Sequence, residues 1–299
     1  MTQGKGRPRR PVPQSVPAEP PPVVSGRWVL TAFLITVGAA LLCVYITLCL
    51  LFYQGQWQML FHPSRTVTAT PANAGLPFDQ IHFDVTESGR PQLDGWWIPA
   101  SMGAKYATDT VLYLHDGRGS LSDTVAALAE LHGLGINAFA FDYRGFGKSA
   151  GRHPTERMGR ADAVAAWTYL TDTRHIPGNR IVVFGDGTGA TFAAALGVEF
   201  APAGVVIEDA NLPARAIFDK DARSRILPLW LLANERLDPS KDLQRMHVPR
   251  LFLVRRGEAV RTRELFEKSS EPKAFFDLRQ ASDGMVQETL RRFLDEVVR

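Results

Sequence analysis

Cysteine is almost missing from this chain. Cys43 and Cys49 are the whole complement, and both lie in an apolar run, which excludes a disulfide framework and a cysteine-built zinc site. Histidine is too scattered for a metal: His62, His82, His115, His132, His153, His175 and His247 show no ligand spacing. Strong charge of one sign is missing too. The formal net charge is +3 over 299 residues, and the excess is local: residues 1–27 carry Lys5, Arg7, Arg9, Arg10 and Arg27 against Glu19 alone. The remainder of the chain is close to neutral, which argues against the basic face that a nucleic acid partner requires. No repeat occurs, and a composition with 45% hydrophobic and 22% charged residues excludes collagen-like and wholly disordered chains.

Pro8, Pro11, Pro13, Pro17, Pro20, Pro21 and Pro22 crowd the front of the chain. Such a stretch cannot bury enough apolar surface to offset its ordering entropy, so residues 1–27 are expected as a disordered, basic tail. Trp28–Tyr53 is then free of charge, and the next basic residue after Arg27 is Arg65. Roughly 20 helical residues cross the hydrocarbon core, so residues 28–53 are expected to span a bilayer, their expected partner. Trp28, Tyr53 and Trp57 bracket the run as interfacial aromatics do. The run is too long for a signal-peptide core, and no small-residue cleavage site comes after it. The excess of basic residues before it puts the N-terminus in the cytoplasm and the remainder outside it.

Residues 54–77 read as a stalk and 78–299 as one α/β domain. Ile81–Val85 and Leu93–Pro99 read as an antiparallel pair. Thr110–His115, Asn137–Asp142, Arg180–Gly185, Gly204–Asp209, Arg250–Val254 and Ala274–Leu278 are near-continuous apolar runs, as in strands buried on both faces. Helical patterns at Leu121–Leu134, Ala161–Leu170, Thr188–Leu196 and Val286–Val298 alternate with them. The expectation is a mostly parallel sheet with helices on both faces. Ile226, Leu227, Leu229, Trp230, Leu231 and Leu232 form an apolar stripe. Helix core is its default reading; dipping toward a bilayer or lining a pocket are the others.

The segments QWQMLFHPSR, GWWIPA, LYLHDGRGS, FDYRGFGKSAG and PTERMGRADAVAAWTYL, in this order, resemble the α/β-hydrolases. The similarity is to their N-terminally membrane-anchored, lysophospholipase- and serine-aminopeptidase-like branch, and it covers about residues 54–299. It implies an α/β-hydrolase fold, no cofactor, a small acyl or lipid-like ligand, and hydrolysis through a Ser–His–acid triad. The serine would sit in a G-x-S-x-G elbow between strand and helix. That elbow here is Gly185-Asp186-Gly187-Thr188-Gly189, with Gly187 at the nucleophile position. The resemblance implies that Thr188 offers its backbone N–H to an oxyanion hole, its side chain directed elsewhere, and that Asp186 points away.

The base position, in the Arg279–Gly284 loop, is filled by Ser282, and no histidine follows His247. Glu258 is the nearest candidate for the acid. The oxyanion loop reads His115-Asp116-Gly117-Arg118-Gly119, which sets a carboxylate where acyl transfer develops negative charge. Two triad members absent leave little of the usual catalysis, so the expectation is a hydrolase-like protein retained for binding. His115, Asp116, Gly117, Asp186, Gly187 and Thr188 are the candidate ligand contacts, although His115 reads first as a packed loop residue. Two alternatives stay open. One is an active ester or thioester hydrolase using Thr188, or water near His115 and Asp116. The other is dinucleotide binding at residues 185–190, where Gly185-x-Gly187-x-x-Ala190 opens a helix and Glu208 would meet a ribose hydroxyl.

Overall fold

The computed structural model describes residues 24–84, 92–257 and 259–298. Residues 1–23 of the expected tail, Val85 at the end of the first expected strand and the candidate acid Glu258 lie outside the described residues. The chain divides into two units between Leu50 and Leu51.

Among the described residues the first unit is one helix, α1 (Gly26–Gly55), whose last turn belongs to the second. Its most apolar window has a mean hydropathy of 2.5, so α1 is long and apolar enough to cross a membrane. Trp28, Leu30, Phe33, Ile35 and Leu41 are exposed on it. The hydroxyls of Thr31, Thr36 and Thr47 donate to carbonyls four residues earlier, at 2.9, 2.9 and 2.8 Å. The helix thereby satisfies its own polar groups, as a lipid environment demands.

The second unit, residues 51–299, is built on an eight-stranded sheet. Its strands are β1 (Asp79–Phe83), β2 (Leu93–Ile98), β3 (Tyr106–Leu114), β4 (Ile136–Asp142), β5 (Ile181–Asp186), β6 (Gly204–Glu208), β7 (Arg250–Val254) and β8 (Lys273–Asp277). They lie in the order β1-β2-β4-β3-β5-β6-β7-β8. β1 pairs antiparallel with β2, and β2 antiparallel with β4. All pairs from β4 to β8 are parallel. The apolar runs of β3 to β7 are buried on both faces because helices cover both sides. One face carries α2 (Val125–Gly133) and the C-terminal helix. The other carries α3 (Glu156–Thr168), α4 (Gly189–Glu199), α7 (Ser240–Arg245) and α8 (Ala259–Lys268). Between α4 and α7 lie α5 (Ala214–Phe218) and α6 (Leu229–Leu232), and α9 (Asp283–Val297) ends the chain. Leu128, Leu131, Leu290, Phe293 and Leu294 from α2 and α9 meet Val111, Val182, Val206 and Leu251 of the sheet in one apolar cluster.

Residues 54–77, expected as a stalk, pack into this unit. Leu60 and Phe61 are buried, and the N–H groups of His62 and Ser64 donate to the carbonyls of Gly117 and Gly119, both at 2.7 Å. The stripe at 226–232 is core only in part: Leu227 and Leu229 are buried, whereas Ile226, Trp230 and Leu231 are exposed. A single helical turn, α6, can turn only one side inward.

Candidate functional site

Strand order reverses direction between β3 and β5, so the loops leaving their C-terminal ends diverge there, the place where open α/β sheets bind their ligands. His115–Gly119 follows β3, and the elbow follows β5. Gly187 adopts φ +57°, the left-handed conformation of a sharp strand-to-helix turn. Gly189 opens α4 so close to β3 that a Cβ would lie 1.9 Å from the Leu114 carbonyl oxygen. The shape of a nucleophile elbow is therefore intact.

The space above it is filled. A Cβ on Gly187 would meet Asp116 Oδ1 at 2.4 Å. That oxygen accepts the Gly117 N–H at 2.7 Å, the Thr188 N–H at 2.9 Å, the Thr188 hydroxyl at 3.0 Å and the Asn211 amide at 2.6 Å. The Asn211 amide also donates to Thr188 Oγ1 at 3.0 Å. Asp116, Gly117, Gly187 and Thr188 are thus brought together by one carboxylate oxygen. The Thr188 side chain was expected to point elsewhere; it turns toward Asp116, because the carboxylate accepts both its hydroxyl and its N–H.

His115 and Asp186 face away from this point. The His115 ring is buried against Tyr143 and Phe146, with centroids 4.5 and 5.3 Å away. Its Nδ1 lies 2.6 Å from the Asp116 carbonyl oxygen, and Nε2 lies 3.8 Å from Asp142 Oδ1. Burial lowers the His115 pKa to about 4, which keeps the ring neutral at physiological pH. The segment Phe141–Gly151 supports this loop. Asp142 accepts the Leu121 N–H at 2.9 Å, Tyr143 donates to the His115 carbonyl at 3.2 Å, and Arg144 Nε pairs with Asp162 at 2.5 Å. Burial raises Asp142 to about 7 and Asp162 to about 6.

Asp186 belongs to a second cluster at the ends of β5, β6 and β7. Asp186, Glu208 and Asp209 offer carboxylate oxygens within 4.8 Å of one another, and a guanidinium already sits among them. Arg256 Nη2 lies 2.7 Å from both Asp186 oxygens and 3.1 Å from Glu208 Oε1, and its Nε lies 3.3 Å from Asp209 Oδ2. Tyr113 donates to Asp186 at 3.0 Å, and Arg255 pairs with Glu130 at 2.7 Å. Burial, reinforced by Asp186, pushes Glu208 up; burial also raises Asp186, with Arg256 opposing. Arg256 is the cation that these three neighbouring carboxylates meet in this structure. A 520 Å³ cavity beside it is lined by Tyr113, Glu130, Glu208, Arg255, Arg256 and Arg279, among others.

Ser282, expected at the base position, is exposed at the N-cap of α9. Sequence reasoning missed Asn211, whose position just past β6 carries no motif. It also missed Arg255 and Arg256, for which the adjacent basic pair closing an apolar strand is a usable signal.

This topology, with an elbow after the fifth strand, is the α/β-hydrolase fold. Solved structures of that class superpose on the chain. The Pyrococcus furiosus esterase Pf2001 matches with a TM-score of 0.62 at 20% identity, over 80% of this chain and 99% of the esterase. An α/β hydrolase from Vibrio vulnificus matches with 0.56 at 19% identity, over 75% of this chain and 82% of the other. At such identities the likeness is one of fold. By sequence, the chain is 28% identical over 254 residues to the uncharacterized protein Rv2307c of Mycobacterium tuberculosis, covering 81% of this chain and 88% of that protein. It is 32% identical over 114 residues to the uncharacterized protein YfhR of Escherichia coli, covering 38% of this chain and 40% of that one. No family model matches.

Proposed function

We propose that this chain is a membrane-anchored protein of the α/β-hydrolase fold, akin to the lysophospholipase-like branch, in which serine-hydrolase chemistry is lost and the domain serves in binding or scaffolding. The observation that carries this is the Asp116 carboxylate at the elbow. It stands where a nucleophile's side chain would begin and holds the Thr188 N–H that would stabilise an oxyanion. A fixed anion there opposes the charge that develops in acyl transfer, and Gly187 has no hydroxyl to start it. The anchor reading rests on the apolar length of α1. The basic residues before it support a cytoplasmic N-terminus.

The rival hydrolase would attack through Thr188. Its hydroxyl is already shared between Asp116 and Asn211, and no histidine follows His247 to relay the proton. Dinucleotide binding is opposed by the same carboxylate, which fills the N-terminus of α4, and by Glu208, buried on Arg256 rather than turned to a ribose.

The test uses the purified full chain with a fluorophosphonate probe and a panel of p-nitrophenyl acyl esters. Neither covalent labelling nor turnover above buffer is expected. Stoichiometric labelling that abolishes an ester-cleaving activity would refute the proposal.

A further inference from the structure

The chain leaves its charge-free run at Tyr53, and the next residue with a buried side chain is Gln56. The Gln56 amide ties this exit to a distant segment. Nε2 donates to the Leu232 carbonyl at 3.1 Å, and Oε1 accepts the Asn234 N–H at 2.9 Å. Phe52 packs edge-on against Phe218 of α5, ring centroids 5.4 Å apart. Three helical residues advance about 5 Å, and the headgroup layer is roughly 5–7 Å deep on each side of the hydrocarbon. A membrane that holds Tyr53 at its boundary therefore has Gln56 at headgroup depth by chain connection, and the two hydrogen bonds keep Leu232 and Asn234 beside Gln56.

The residues just before Leu232 are apolar and face outward. In α6, Leu229 is buried at 3% exposure, whereas Trp230 is 82% and Leu231 63% exposed. Leu227 and Leu229 already fill the inner side of this turn, so domain packing gives no reason for an indole and a leucyl side chain on the outer side. Arg225, also exposed, precedes them, as cationic residues do beside interfacial apolar groups. Tryptophan is the side chain most at home at headgroup level.

We propose that α6 docks into the interface of the bilayer that holds α1, with Trp230 and Leu231 inserted among the headgroups and upper acyl chains. The occupant is set by continuity: the span, Gln56 and α6 form one hydrogen-bonded path. This inference rests on reading α1 as a membrane anchor, and it adds a second, non-spanning contact that would set the orientation of the domain on the membrane.

The test is nitroxide accessibility in the full chain reconstituted in phosphatidylcholine–phosphatidylglycerol vesicles, with Cys43→Ala and Cys49→Ala as background. Labels are placed singly through Leu231→Cys, Val37→Cys in the span, and Met102→Cys on a fully exposed turn. The expected result is an oxygen-to-nickel accessibility ratio at 231 several-fold above that at 102 and below that at 37. Adding Trp230→Glu should return the 231 ratio to the 102 value while leaving 37 unchanged. A 231 label open to both reagents is in water, and one shielded from both is covered by protein, such as a second copy; either overturns the docking proposal. If 37 itself behaves like 102, the anchor reading falls with it, so the two failures are distinguishable.

Discussion

Gly187 and Asp116 depend on each other. A side chain at 187 would be strained by the left-handed backbone and would collide with the carboxylate. Gly187→Ser, the substitution that nominally restores the elbow motif, should therefore destabilise the protein by about 2–4 kcal/mol, combining overpacking with left-handed strain. Removing the carboxylate first changes the outcome. In the Asp116→Ala background the same serine should cost only about 1–2 kcal/mol, the strain alone. The double-mutant coupling, read from urea unfolding, measures the steric part. Equal costs in both backgrounds would place Asp116 elsewhere.

At the scale of elements, the C-terminal ends of β5, β6 and β7 are held together by Arg256. Asp186, Glu208 and Asp209 are each largely buried, so removing the guanidinium leaves like charges close together in a poorly solvated place. Arg256→Gln should destabilise the domain by about 2 kcal/mol at pH 8. This is below the cost of breaking a fully buried pair, because Arg256 is itself partly solvated. The loss should shrink toward pH 5, where Glu208 carries a proton in the folded state. Urea midpoints at the two pH values check this, and a loss that grows at pH 5 would contradict the assignment. α6 is the opposite kind of element: a turn too short to bury all its apolar side chains, held at its end by Gln56.

For the molecule as a whole, several buried acids make stability depend on pH. Burial raises Asp142 to about 7 and Asp162 to about 6 from an ordinary value of 3.8. Between the unfolded and folded values the folded state holds protons that the unfolded chain has released, so stability falls as pH rises through this window. Buried His115, lowered to about 4, acts oppositely below about pH 6.5, where the unfolded chain gains a proton that the folded state refuses. These acids, joined by Glu208 and Asp186, which burial also raises, outweigh the one imidazole and leave a net decline from about pH 5 to 7. Asp142→Asn keeps the shape and removes one titration. The stability advantage of the wild type over this variant should shrink by at most about 1.4 kcal/mol per pH unit across that window. Urea unfolding of the full chain in detergent, followed by tryptophan fluorescence, reads it; an advantage independent of pH would show that Asp142 keeps its ordinary ionisation.

Periodicity and order of segments alone determined the eight-stranded α/β plan and the apolar helix at the front, and residue type alone determined that position 187, a glycine, carries no hydroxyl. These are properties of local pattern and of atoms that a residue type does or does not possess. Strand ends moved by only a few residues, because β3 to β7 are buried on both faces and their apolar runs are the strands. The destination of side chains was not legible. Asp116 and Thr188 are separated by many residues in the chain, yet they share an oxygen with Asn211, which no motif marks. Arg256 reaches carboxylates from two other strands, and Trp230 faces out while Leu229 faces in. Those outcomes depend on which loops the parallel sheet brings to one edge, and on how charge and volume are shared among groups remote in sequence. Only the tertiary structure decides that.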